Sequence, residues 1–71
     1  MRDETLYKKV GKRVQELRIQ QDLSQQDLAA KCNFEKSNMS RLEAGNVNST
    51  LSTINKVANA LGVKVEELFK F

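Results

Sequence analysis

The chain has 71 residues, enough for one small folding unit with a modest hydrophobic core. Its single cysteine excludes an internal disulfide and argues for a reducing compartment. No run of about 18 apolar residues is present to span a membrane, and the charged start "MRDE" lacks the apolar core of a secretory signal, so a cytoplasmic location is expected. Histidine, a Gly-rich phosphate loop and paired carboxylates on one face are all missing, which argues against an enzyme and against a metal or other cofactor. A chain of this length also leaves little room to bury a small-molecule ligand. Twelve Lys and Arg against nine Asp and Glu give a net charge of +3, a mild bias toward an anionic partner.

Proline is absent, glycine occurs three times, and apolar spacing is helical throughout, so an all-α fold is expected. The first helix is read from Asp3 to Gln21, with Leu6, Val10, Val14 and Leu17 on one face. Gly11 lies near that face, where the missing side chain lets another helix come close. Arg18 follows Val14 by four residues, so its stem lies along the same face, and a half-buried Arg needs a carboxylate partner. The run of Lys8, Lys9, Lys12 and Arg13 reads as a solvated helix face.

Ser24 announces the second helix: its hydroxyl suits the backbone N–H of Asp27, and the Asp27 carboxylate suits the positive helix end. Gln25, Leu28, Ala29 and Cys32 then share a face, with Cys32 expected as a small buried hydrophobe. Asn33 tolerates the left-handed conformation that stops a helix abruptly. A tight turn over Asn33–Glu35 then leads into a third helix ending at Gly45. The loop "NVNST" offers Ser49 or Thr50 as cap for a fourth helix carrying Leu51, Ile54, Val57, Ala58 and Leu61, with Gly62 as its stop. A last helix is expected around Val65 to Phe71, contributing Val65, Leu68 and Phe69 to the apolar side. Phe69 is expected to cap the core and Phe71 to enter an isologous dimer interface, which would set two third helices about 34 Å apart.

The third helix, "KSNMSRLEAG" from Lys36 to Gly45, has Met39 and Leu42 as its only large apolar residues. At 100° per residue they define an inward stripe, and Ser37, Ser40, Arg41 and Ala44 fall opposite, flanked by Lys36 and Asn38. A protein partner finds little to bury on such a face. A DNA major groove finds a slim helix with donors and acceptors aimed at base edges: Arg41 suits guanine O6 and N7, while Ser37 donates or accepts.

The stretch "LSQQDLAAKCNFEKSNMSRLEAG" (Leu23 to Gly45), with its "LSQ-x-x-LA" opening and "S-x-x-S-R-L-E-x-G" close, together with the later "ALGV", resembles the phage-repressor/Cro (XRE-type) helix-turn-helix family. The resemblance covers about residues 8 to 69. It implies a compact five-helix, lambda-repressor-like DNA-binding domain occupying residues 1–71, with the helix-turn-helix at about 25–44. It also implies sequence-specific binding of double-stranded DNA, commonly as a homodimer that regulates transcription. Matched position by position, it implies base contacts from Lys36, Ser37 and Arg41 and a backbone contact from Asn38. Gln25 falls where the family contacts a phosphate and braces the reading helix, and Asn46 and Asn48 fall where a loop touches phosphate. Arg18 and Glu43 fall where many members form an internal ion pair. Departures are Asn33 for the usual Gly, Phe34 for a smaller aliphatic residue, and Glu35 where Ser or Thr usually caps the reading helix. A carboxylate there favours the helix dipole but repels phosphates and disfavours some half-site sequences. The alternative reading is a small protein-interaction module, an antitoxin or adaptor, on the same fold.

Overall fold

The computed structural model describes residues 4–71 as four α-helices, α1 (Glu4–Gln20), α2 (Gln25–Cys32), α3 (Lys36–Glu43) and α4 (Leu51–Leu61), followed by a 3-10 helix over Val65–Phe69. No strand occurs among the described residues, as an all-α fold requires. The expected start of the first helix at Asp3 lies outside the described residues.

All four α-helices stop in the same way. Asp22, Asn33, Gly45 and Gly62 adopt positive φ, and they are the described residues that do so. At each stop the following N–H reaches back five residues: Leu23 to the Arg18 carbonyl, Phe34 to Ala29, Asn46 to Arg41 and Val63 to Ala58, at 2.8–3.1 Å. The last open carbonyls of each helix are thereby satisfied, and the chain turns sharply. Asn33 and Gly62 are the stops expected from residue type. Asp22 uses the same tolerance of short polar side chains for the left-handed region.

Helix starts are less uniform. The Ser24 hydroxyl accepts from the Asp27 N–H at 3.0 Å, and the Asp27 carboxylate accepts from the Ser24 N–H at 3.1 Å, closing a capping box. These bonds, the one from the Ser24 backbone first, hold the Asp27 carboxyl below its ordinary range. Thr50 caps α4 by accepting from the Thr53 N–H at 3.2 Å. Glu35 occupies the cap position of α3 and makes no side-chain hydrogen bond there.

Val14, Leu28, Met39, Val57 and Leu68 form the fully enclosed centre of the core, and Cys32 is buried beside it as a small apolar group. Burial pushes the Cys32 thiol up, so it stays protonated. Leu6, expected on the buried face of α1, is 38% exposed at the rim.

The fifth element corrects the expected fifth α-helix. It is a 3-10 helix of five residues and ends at Phe69, short of Phe71. Five residues are too few to nucleate an α-helix unaided. The segment is instead fixed by a tertiary bond, Arg13 Nε donating to the Glu67 carbonyl at 2.8 Å, beside a local surface pair in which Lys70 Nζ donates to the Glu67 carboxylate at 2.6 Å. Arg13 is therefore not part of a purely solvated face, whereas Lys8, Lys9 and Lys12 are exposed. Leu68 closes the core, while Phe69 is 42% exposed, so the expected capping role passes to its neighbour. Phe71 lies 6.5 Å from the Phe69 ring, with Lys9 Nζ 5.6 Å from its centroid.

Candidate nucleic-acid interface

Helix α3 is seated by backbone contact as much as by side chains. A methyl group on Gly11 of α1 would fall 2.4 Å from the Leu42 carbonyl oxygen and 2.5 Å from that of Glu43. One on Gly45 would fall 2.6 Å from the Cα of Lys8, at a residue whose φ of +77° already disfavours a side chain. These two glycines let the C-terminal end of α3 lie directly on α1. Helix α2 packs on both α3 and α4 and buries Leu28, Ala29 and Cys32 in doing so.

A buried polar cluster fixes the same end. Arg18 Nε donates to Glu43 Oε2 at 2.7 Å and its Nη2 to Glu43 Oε1 at 3.1 Å. The remaining Nη1 donates to the Leu23 carbonyl at 2.8 Å. Gln25 Nε2 adds a bond to Glu43 Oε1 at 3.0 Å. One carboxylate on α3 thus collects α1 and the first residue of α2, and no described buried side-chain polar atom lacks a partner. The bracing role implied for Gln25 and the carboxylate partner demanded by Arg18 are both met.

With Met39, Leu42 and Glu43 turned inward, Lys36, Ser37, Asn38 and Arg41 are exposed, as are Asn46 and Asn48 in the loop that follows. Neither Lys36 nor Arg41 forms an ion pair with a described residue. Asn38, Arg41 and Asn48 come together on one groove of about 240 Å³, whose walls include Phe34 and Val47. Thr50 and Thr53 at the start of α4 line the same groove. The sequence offers Thr50, with Ser49, only as a candidate cap; its place beside Arg41 on this groove depends on the path of the loop. Lys36 and Ser37 occupy the first turn of α3, Asn46 follows its C-terminal stop, and Gln25 is half-buried at the start of α2. The six exposed residues therefore follow α3 and its loop, with Gln25 braced at their edge.

Two short helices joined by a tight turn, the second with a buried apolar edge and an exposed polar one, define a helix-turn-helix DNA-binding module. The sequence profile of the Cro/C1-type HTH DNA-binding domain matches residues 13–71, and the chain belongs to this family of DNA-binding regulators. It is 37% identical over 59 residues to an immunity repressor protein of Bacillus phage phi105, covering 83% of this chain and 41% of the repressor. The chain thus spans about two-fifths of that relative's length. It is 34% identical over 62 residues to control protein C.BamHI of Bacillus amyloliquefaciens, covering 86% of this chain and 76% of that one. In three dimensions it is similar to the restriction-modification controller protein C.AhdI from Aeromonas hydrophila, with a TM-score of 0.86 and 38% identity, over 89% of this chain and 96% of the other. No described helix is long and apolar enough to cross a membrane.

Proposed function

We propose that this chain regulates transcription by binding double-stranded DNA in a sequence-specific manner, as a homodimer on a palindromic site, with α3 in the major groove. The observation that carries the reading is the division of α3. Met39, Leu42 and Glu43 are buried, while Lys36, Ser37, Asn38 and Arg41 are exposed and polar. A helix anchored on one edge presents the other at fixed height, and a groove about 12 Å wide admits it.

In this reading Arg41 donates two bonds to guanine O6 and N7, and Lys36 and Ser37 contact neighbouring base edges. Asn38, Asn46, Asn48 and Gln25 contact the sugar–phosphate backbone, which sets register and orientation. The amide of Gln25 is held by Glu43, so a phosphate contact there would couple backbone docking to the α1–α3 cluster. Likeness to an immunity repressor and to restriction-modification controllers supports gene regulation as the purpose of binding. Leu51 at 82% exposure and Phe69 at 42% line a second, largely apolar groove of about 190 Å³, which supports a second copy as partner.

The test is selection from a random duplex library, followed by binding to the enriched sequence at two salt concentrations. Two inverted half-sites about one helical turn apart, with affinity falling steeply with salt, are expected. Failure to enrich any sequence would overturn the reading in favour of a protein-interaction module.

A further inference from the structure

The cap position of α3 stands apart from those of α2 and α4. Ser24 and Thr50 each close their helix with a side-chain hydrogen bond, and Glu35 does not. A capping Ser, Thr, Asp or Asn satisfies a helix N–H that is otherwise left to water. Glu35 forgoes this on the helix whose first turn faces outward. Its side chain is exposed and makes no ion pair or hydrogen bond with any described residue. It directly precedes Lys36 and Ser37, both exposed.

A free carboxylate at this end of the helix has a narrow choice of partners in DNA. Phosphates repel it. In the major groove guanine offers O6 and N7 and thymine offers O4, all acceptors. Adenine offers its N6 amino group but sets the N7 lone pair beside it. Cytosine alone presents an amino donor, N4, with no acceptor on the same base edge. We propose that Glu35 reads sequence: its carboxylate accepts a hydrogen bond from N4 of one cytosine in each half-site and disfavours the other three bases. This rests on α3 docking in the major groove as described above, and it adds a residue to the reading surface. The same charge lowers affinity for DNA in general, so Glu35 trades total binding for discrimination.

Three proteins carried through the same library selection test this: the natural chain, Glu35→Gln and Glu35→Ser. The natural chain should enrich cytosine at one position of each half-site. Glu35→Gln should move that preference to adenine, since an amide both accepts from N6 and donates to N7. Glu35→Ser should lose the preference by about tenfold and bind random duplex about two- to threefold more tightly, while unfolding at a higher temperature because the cap is restored. Identical enriched sequences from all three proteins would overturn the inference, even if affinity rose, because a purely repulsive charge acts on every sequence alike. An Arg41→Ala protein in parallel separates the two readings. If it alters the enriched sequence and the Glu35 variants do not, Glu35 alone fails; if the natural chain enriches nothing, both fall.

Discussion

Arg18 and Glu43, 25 residues apart in the chain, face each other through two parallel hydrogen bonds of 2.7 and 3.1 Å, with their side chains 10% and 4% exposed. The planar guanidinium matches the carboxylate fork, and the pair joins α1 to the C-terminal end of α3. Removing one partner leaves the other charge buried and uncompensated, at a cost of about 3–5 kcal/mol. A domain of this size has only a few kcal/mol in hand. Glu43→Ala is therefore expected to unfold much of the population at room temperature. Replacing both residues, as Arg18→Met with Glu43→Leu, should recover most of the loss. Urea titration of the natural chain and the two variants decides it; a loss below about 1 kcal/mol for Glu43→Ala would show that the pair is not structural.

Gly11 permits the closest approach of α1 to α3. In an open helix Gly11→Ala would gain about 0.5–1 kcal/mol. Here the new methyl meets the Leu42 and Glu43 carbonyls at 2.4 and 2.5 Å, both of them backbone atoms that cannot rotate aside. A net loss of about 1–3 kcal/mol is expected, with weaker DNA binding as α3 shifts. Thermal unfolding of Gly11→Ala with the same or a higher midpoint would contradict this packing.

Asp27 gives the fold a dependence on acid. The Ser24 N–H and then its hydroxyl hold the folded-state carboxyl below its unfolded value. Its contribution is present above the unfolded pKa and is lost as pH falls through the folded one. Asp27→Asn should unfold at a lower temperature than the natural chain at about pH 7, and the gap should narrow steadily as pH falls through the acid range. Melting curves across that range read the difference directly; a constant gap would place the effect elsewhere.

On the proposed docking, Arg41 reads a base and Gln25 holds a phosphate, and two variants separate these roles. Arg41→Ala should lose about 1–3 kcal/mol of affinity for the enriched sequence and relax one base position. Gln25→Ala should weaken all sequences by a similar factor, because a phosphate contact carries no base information. Its folded fraction needs checking, since the Glu43 bond is lost too. Competition binding against single-base variants distinguishes the two patterns.

Periodicity and residue type were enough to place α1 to α4, the left-handed stops at Asn33 and Gly62, the cap at Ser24, and the inward pair Met39 and Leu42, and they narrowed the α4 cap to Ser49 or Thr50, of which the structure uses Thr50. These features are local: one or two neighbouring residues settle the backbone angle or the exposed face. The exposed residues of α3 were legible for the same reason, since fixing the buried stripe fixes its opposite. What tertiary structure alone decided is where distant groups meet. Arg13 looked like one more surface cation until Glu67, 54 residues later, was brought beside it. Phe69, expected to join Leu68 in the interior, is left exposed because the terminal helix winds with 3-10 geometry, which turns it away from the face shared by Val65 and Leu68. The convergence of Asn38, Arg41, Asn48 and Thr50 on one groove likewise depends on how the loop returns to α4. Local geometry follows from steric limits within a turn of helix, whereas these meetings follow from how four short helices fill one interior together.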